Sequence, residues 1–283
     1  MYFDSMTGPG GRKLWAHSPL SINHQTNTGG AVTSWAINGS LPSGVSFNTQ
    51  TGVLSGTPTE LWPQTTYMVW ANNSGGSSTA YLNITVVDQL PTIAYSASNL
   101  LLTNNTPSTD LPLVPTLTGA GEITSWAINA SLPAGLTFET SNGTIWGTPT
   151  ELWNTMAYVV WANNSGGSSV AYLNITVIDQ LPTSLTYTPE NVTMVRDEVS
   201  TDLPLVPTLT GPGEITSWAI NGSLPSGLSF GTTNGTIWGL PLVNMTTTTY
   251  TVWANNTGGS LSTTINITAV SYTHLRAHET GYN

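Results

Sequence analysis

Residues 124–129, which read TSWAIN, recur unchanged at 33–38 and 216–221 and set the organisation of the chain. Their tryptophans, Trp35, Trp126 and Trp218, lie 91 and 92 residues apart. Longer stretches repeat with them, such as DLPLVPTLTG at 110–119 and 202–211 and WANNSGGSS at 70–78 and 161–169. A repeat of this length is a small self-sufficient domain rather than a solenoid unit. The sequence therefore predicts three tandem domains, at 1–87, 88–178 and 179–269, followed by a tail at 270–283.

The composition limits the classes of function. Of the 283 residues, 39% are hydrophobic and 6% are charged, which is apolar enough for packed cores. Four Lys and Arg stand against fourteen Asp and Glu, so neither nucleic acid nor an anionic membrane surface is an expected partner. The chain has no cysteine, which excludes disulfides and thiolate chemistry. No apolar run is long enough to span a bilayer, and the N-terminus lacks the pattern of a signal peptide, as expected for a fragment of a longer chain.

The TSWAIN copies have the alternation of a half-buried strand, which puts Trp35 and Ile37 on one face and Ala36 on the other. Turns that contain Pro and Gly, such as Leu41-Pro42-Ser43-Gly44, and Asn-Gly turns separate this strand from its neighbours, and β-branched and aromatic residues dominate the other strands. No segment has a helical period. The predicted fold class is all-β, with three tandem immunoglobulin-like β-sandwich domains.

Two features of the immunoglobulin sandwich recur in every repeat. One is the tryptophan on the third strand, strand C, and the other is a tyrosine on strand F, two residues before the second disulfide cysteine. Here valine takes the place of the cysteine, in the pairs Tyr67 and Val69, Tyr158 and Val160, and Tyr250 and Val252. The sequence thus predicts the sandwich without its disulfide.

Three motifs of the second repeat resemble a known family. They are W-x-I-N-x-x-L-P-x-G-[LV]-[ST]-F at 126–138, G-x-[IL]-x-G-T-P-T at 143–150 and Y-x-V-x-A-x-N-x-G-G at 158–167. They are similar to the family named "Putative Ig domain", which is found in tandem on bacterial and archaeal surface proteins. The resemblance implies an extracellular, non-catalytic module without a shared active site. The third repeat departs from the pattern at 239–242, where Gly-Leu-Pro-Leu replaces Gly-Thr-Pro-Thr, and this puts the loop after strand E in question.

The end of the chain changes in character. From Val270 to Thr280 it reads VSYTHLRAHET, which resembles one translated reading frame of a widely used sequencing adapter. This resemblance implies that the natural sequence stops near Ala269 and that the chain is a metagenomic fragment. We therefore expect the last strand to close the third domain there, and residues 271–283 to pack on nothing.

Few residues suit catalysis or metal binding. All four histidines lie outside the repeats, which also lack Lys and Cys, so the chain is predicted not to be an enzyme. Asp88 and Asp179 stand at the domain junctions, where a calcium ion would stiffen an array. Each is followed by Gln-Leu-Pro rather than by the several carboxylates that calcium prefers. We expect no cofactor, with calcium at Asp88 and Asp179 as the weak alternative to carboxylates that serve solubility.

Asparagine is abundant. Fourteen Asn-x-Ser/Thr triplets occur, including those at Asn72, Asn163 and Asn255. They are acceptors for glycosylation in some organisms, but asparagine is also a common turn and strand-surface residue.

The remaining tryptophans are the candidate ligand-binding residues. Trp70, Trp161 and Trp253 alternate with inward-facing residues of strand F and should point outward, beside small neighbours such as Ala36 and Thr79. Trp62 and Trp153 are expected in a loop. Exposed aromatic side chains often mark contacts. The simpler interpretation is that they pack beneath loops or against the next domain.

Two functions remain open. The first is a structural or adhesive spacer, a rod roughly 100 Å long in a secreted or cell-surface repeat protein. Its partners would be the other domains of the chain and a polysaccharide or a cell-surface protein. The alternative is an array of carbohydrate-binding modules, appended to a secreted hydrolase.

Overall fold

A computed structural model describes residues 13–16 and 30–272, and every regular element in these ranges is a β-strand. The first domain contains β1 (Lys13–Ala16), β2 (Ser34–Ile37), β3 (Val45–Phe47), β4 (Leu54–Gly56), β5 (Trp62–Asn73) and β6 (Gly76–Val87). The all-β prediction is thereby confirmed. No helix in the described part of the chain is long and apolar enough to cross a bilayer.

The second and third domains have eight strands each. The second contains β7 (Thr92–Ala94), β8 (Asn99–Thr103), β9 (Thr116–Thr118), β10 (Ser125–Ile128), β11 (Leu136–Phe138), β12 (Ile145–Gly147), β13 (Trp153–Asn164) and β14 (Gly167–Ile178). The third contains β15 (Ser184–Thr186), β16 (Asn191–Val195), β17 (Thr208–Thr210), β18 (Ser217–Ile220), β19 (Leu228–Phe230), β20 (Ile237–Gly239), β21 (Met245–Asn256) and β22 (Gly259–Val270).

The sheet topology is that of an immunoglobulin-like sandwich. In the second domain one sheet has the order β10-β13-β14-β8, and β8 runs parallel to β14. The facing layer consists of the pairs β7-β9 and β11-β12, which a bridge between Leu113 and Ile145 connects. The third domain repeats both layers, with its bridge between Leu205 and Ile237. In the first domain the order is β1-β6-β5-β2, but β1 runs antiparallel to β6.

The core lies between the two layers and contains the predicted landmarks. Trp126 is 6% exposed, and Tyr158 and Val160 are fully buried. Their equivalents in the third domain, Trp218 and Val252, are buried as well. Apolar packing at the valine positions therefore takes the place of the inter-sheet disulfide, since the chain has no cysteine.

The last residue of TSWAIN has a structural role that explains its recurrence. Beyond the end of β10, the side-chain Oδ1 of Asn129 accepts a hydrogen bond of 3.0 Å from the backbone N–H of Val159. Its own backbone N–H donates to the carbonyl of Val159 at 3.1 Å. The side chain thus continues the β-ladder where the strand stops. Asn38 and Asn221 accept in the same way from Met68 and Thr251.

The tryptophan of TSWAIN needs a glycine opposite its ring. Gly143 has φ +75°, and a Cβ atom there would lie 2.4 Å from the ring of Trp126. Gly235 stands in the same relation to Trp218. Two separate features therefore require glycine in each Asn-Gly hairpin. One is the left-handed backbone, and the other is the indole ring that leaves no space for a side chain.

Some strand predictions were wrong in extent. The F and G strands have 12 residues each, because the F strand begins at Trp62, Trp153 or Met245 and not near the tyrosine. The loop predicted around Trp62 and Trp153 is therefore a strand. A bulge between Trp62 and Thr65 interrupts the ladder and accommodates Pro63, which has no N–H to donate.

The structure describes the two ends of the chain only in part. The sequence also predicts a strand around Pro19–Asn23, but these residues lie outside the described ranges, as do His274 and Leu275 of the tail. The last strand, β22, extends to Val270, one residue beyond the expected end at Ala269, and the carbonyl of Val270 accepts from the N–H of Arg196 at 2.7 Å.

The departure of the third repeat at 239–242 leaves two backbone hydrogen bonds of its loop in place. Leu240 and Leu242 donate their N–H groups to Gly227 and Ser226, at 3.0 and 2.9 Å. Thr148 and Thr150 of the second domain make the equivalent bonds. Because these bonds use only the backbone, the replacement of threonine by leucine does not remove them.

Two glycines in the third domain allow two free-energy costs of a Gly→Ala substitution to be separated. One is the cost of a positive φ, and the other is the cost of a clash with the tryptophan. Gly222 has φ +69° with nothing within 4 Å, whereas Gly235 has φ +70° against Trp218. We expect Gly222→Ala to cost about 1 kcal/mol of unfolding free energy. Gly235→Ala should cost about 3 kcal/mol, since it also overpacks the core. Calorimetry on the full chain should show the third-domain transition lowered much more by the second variant, and equal shifts would contradict the account.

Candidate functional site

The junction between the first two domains is a docked segment, not a free linker. Asp88 donates its backbone N–H to the hydroxyl of Ser165 at 2.9 Å. The carbonyl of Gln89 accepts from the side-chain amide of Asn164 at 2.6 Å. Ser165 and Asn164 belong to the turn between β13 and β14, so the segment lies against the second domain as soon as it leaves the first.

Two glycines make room for this segment. A Cβ atom at Gly121 would lie 1.7 Å from the carbonyl oxygen of Gln89, and one at Gly166 would lie 2.0 Å from that of Asp88. Both distances are far below van der Waals contact, so any side chain at either position would displace the segment. Asn164 also shapes the turn itself, since its Oδ1 accepts from the N–H of Gly166.

The junction between the second and third domains repeats each of these contacts. Asp179 donates its N–H to the hydroxyl of Thr257 at 2.8 Å, and the carbonyl of Gln180 accepts from Asn256 at 2.6 Å. The spaces for the two carbonyls are left by Gly213 and Gly258. We call the surface formed by the asparagine, the hydroxyl residue and the two glycines the junction groove. The sequence did not predict the junction groove. The one signal was that WANNSGG is repeated without change, although a turn alone requires fewer fixed residues.

The carboxylate of Asp179 is engaged by backbone groups. Its Oδ1 accepts from the N–H of Gln180 at 2.8 Å and its Oδ2 from the N–H of Glu214 at 3.0 Å. Within residues 13–16 and 30–272, no group of three or more His, Cys, Asp or Glu is placed to hold a metal ion. The observed contacts show Asp179 bracing the junction, and the calcium site at Asp88 and Asp179 stays a prediction.

Two other recurring acidic residues also brace turns. Glu60 and Glu151 accept from the backbone N–H of Ser43 and Ala134, each at 2.7 Å. The recurrence of these carboxylates in the repeats is thus explained by the support they give to the turn after strand C.

Trp70, Trp161 and Trp253 lie on the outer face of the four-stranded sheets, as the alternation predicts. They face, in turn, Ala36 and Thr79, Ala127 and Val170, and Ala219 and Ser262. All three are partly buried. Their assignment as ligand-binding residues stays a prediction.

More exposed aromatic residues stand beside two of these tryptophans. Tyr81 in β6 and Tyr172 in β14 are 69% and 71% exposed, on the same face as Trp70 and Trp161. We call the four residues the aromatic face. In the third domain, Thr264 takes the position of the tyrosine. These tyrosines are not among the predicted ligand-binding residues, although their alternation with Leu82 and Leu173 marks them as outward.

Trp62 and Trp153 have surroundings that suit packing better than ligand contact. Both are partly buried, and their indole Nε1 atoms are buried. Trp153 packs against the core of the second domain. In the third domain the position belongs to Met245, whose sulfur accepts from the hydroxyl of Tyr250.

Buried tyrosines close the ends of the sandwich. The hydroxyl of Tyr158 donates to the carbonyl of Ser131 at 3.2 Å, and that of Tyr187 donates to the carbonyl of Gly235. Burial raises the pKa of both hydroxyls above the ordinary value for tyrosine. These tyrosines hold loops to the sheets and offer no acidic group for proton transfer near neutral pH.

The strand topology, the repeated landmarks and the docked junctions define a tandem array of immunoglobulin-like domains. Three segments, 13–87, 91–178 and 181–270, match the model of the family described as "Putative Ig domain". The chain belongs to this family, as its motifs indicated. The junction residues Asp88 and Gln89 and their equivalents, Asp179 and Gln180, fall between the matched segments.

The curated relatives are adhesins. The chain is 30% identical over 154 residues to the "Serine-rich adhesin for platelets" of Staphylococcus aureus strain MRSA252, which covers 54% of this chain and 11% of that protein. It is 28% identical over 152 residues to the protein of the same description from strain USA300, with coverage of 54% and 6%. The chain thus spans only a small part of the length of these relatives. They give no support to an array of carbohydrate-binding modules.

Two solved structures align with most of the chain. Extracellular domains 3–5 of Drosophila OTK align with 81% of this chain and 78% of their own, at 13% identity and a TM-score of 0.40. The I67–I69 fragment of the titin I-band aligns with 84% and 87%, at 14% identity and a TM-score of 0.36.

Proposed function

We propose that this chain is a non-catalytic spacer within a long adhesin, secreted or displayed on a cell surface. The observation that carries the proposal is the junction groove, which occurs at both junctions with the same partners. A chain that only connected independent domains would need no such groove. Docked junctions limit the angles between neighbours and thereby preserve the reach of the array.

The length of the domains suits a spacer that extends away from the surface that carries it. The F and G strands of each domain form a hairpin of two 12-residue strands. Each such strand is about 40 Å long, so three domains in line extend about 120 Å. The relatives that match part of this chain are named as adhesins. This supports an extracellular location and a role in holding other parts of the protein outward.

Small-angle scattering on the full chain tests the extended arrangement. We expect a radius of gyration of about 35 Å, the value for a rod about 120 Å long. A compact globule of the same length would give about 19 Å. A value near the latter would contradict the spacer function, and the distance distribution should have the long tail of an elongated particle.

A second candidate function is contact with a cell-surface partner through the aromatic face. The observation that favours it is the exposure of Tyr81 and Tyr172 beside Trp70 and Trp161. Tyrosine and tryptophan supply large contact area at a low entropic cost. The third domain has the smaller Thr264 at this position, so the contact would involve the first two domains.

Paired substitutions test the aromatic face. Beads coated with the full chain would be incubated with platelets, the target named for the relatives. If the face makes contact, Tyr81→Thr with Tyr172→Thr should reduce bound beads about tenfold, the loss of roughly 1.4 kcal/mol. Val199→Thr, at a residue that is 90% exposed in the third domain, is the control and should bind as wild type. Equal binding by the wild type, the double tyrosine variant and the control would contradict contact through the aromatic face, and only the spacer function would remain.

A further inference from the structure

One residue at the second junction contacts both of the domains that it connects. The carbonyl of Gln180 accepts from Asn256 of the third domain. Its side-chain Nε2 donates in the opposite direction, to the carbonyl of Asn104 at 2.7 Å and to the hydroxyl of Thr106 at 3.1 Å. Asn104 and Thr106 follow β8 in the second domain. Gln180 is therefore bonded to the second domain by its side chain and to the third by its backbone.

The surroundings of Gln180 show why these bonds matter. The cleft beside it is lined largely by polar residues and glycine: Asn104, Asn105, Asp179, Gln180, Gly213 and Glu214, together with Leu152 and Pro212. Little apolar surface is available here to hold the two domains in one orientation. Hydrogen bonds in a partly buried setting must then supply the restraint, and each has a fixed direction.

At the first junction, the described residues show only the backbone part of this arrangement. The carbonyl of Gln89 is bound by Asn164, as Gln180 is by Asn256. Its side-chain amide makes no hydrogen bond to the described part of the first domain. The two glutamines share the sequence context Asp-Gln-Leu-Pro-Thr, and among the described residues only the side chain of Gln180 bonds to the preceding domain.

We propose that Gln180 is a latch that fixes the orientation of the third domain relative to the second, while the first junction keeps more freedom. The junction groove anchors the segment at both junctions, and the side chain of Gln180 adds the second point of attachment. Two attachment points on opposite sides of a short segment remove rotations that a single one permits. The inference refines the spacer function proposed above by assigning the stiffness of one junction to one side chain.

Spin labels offer a direct measurement, because the chain has no cysteine of its own. Ser141→Cys and Thr233→Cys place labels on equivalent exposed turns of the second and third domains. Gln50→Cys does the same in the first domain. Pulsed electron resonance on the full chain then gives the distribution of distances across each junction separately.

Gln180→Glu is the informative variant, since it keeps the length of the side chain and removes the amide donor. We expect it to widen the 141–233 distance distribution about twofold, because the orientation is no longer restrained from the second domain. Gln89→Glu is the matched control and should leave the 50–141 distribution as wide as in the parent protein. Circular dichroism should show all variants folded, and Gln180→Ala checks that added charge is not the cause.

Unchanged width of the 141–233 distribution in both Gln180→Glu and Gln180→Ala would overturn the inference. So would a parent protein in which the 141–233 distribution is as wide as the 50–141 distribution. Either result is independent of the overall extension measured by scattering. Scattering tests the extended arrangement and the spin-label distances test the restraint by Gln180, so failure of the spacer function and failure of this inference are distinguishable.

Discussion

The arrangement of the array depends on two successive carbonyl oxygens packed where two glycines have no side chain. At the second junction these are the carbonyls of Asp179 and Gln180, and the glycines are Gly258 and Gly213. A hydrogen bond from Asn256 and another to Thr257 hold the segment in that position. Because the turn that carries Asn256, Thr257 and Gly258 is built on the two longest strands of the domain, the orientation of the segment follows from the rigid hairpin.

This constraint gives a physical reason for the near-identity of the repeats. Surface turns tolerate substitution freely when they contact nothing. The turns of this chain carry Asn-Asn-Ser-Gly-Gly at 163–167 and Asn-Asn-Thr-Gly-Gly at 255–259. The serine and threonine both accept the same backbone bond, and the first glycine in each stretch lies against a carbonyl. In each stretch, the second asparagine, the hydroxyl residue and the first glycine contact the junction segment.

Sequence reasoning predicted much of each domain, because the relevant contacts are local or periodic. The strand at Trp126, the inward Tyr158 and the valine at the cysteine position followed from alternation and known spacings. The outward placement of Trp161 followed from the same rule. The family was also recognisable, since three separate motifs occur in the expected order.

Contacts between segments that are distant in sequence were not predictable in this way. Asp88 and Ser165 are 77 residues apart, and no periodicity joins them. Trp153 was assigned to a loop because its surroundings have no clear alternation, and the bulge that follows it disturbs the period. The recurrence of Glu151 in the repeats did not identify its partner, which is the backbone of a turn in the same domain. In each case the sequence marked the residue but not its partner.

The central claim is that the junction segments are docked and not free, and amide hydrogen exchange measures this most directly. The N–H groups of Asp88 and Asp179 donate to Ser165 and Thr257, so exchange requires the segment to leave its groove. The account predicts that both amides exchange at least about 100-fold more slowly than in an unstructured peptide. Exchange at the unstructured rate, in a protein whose core strands remain protected, would contradict it.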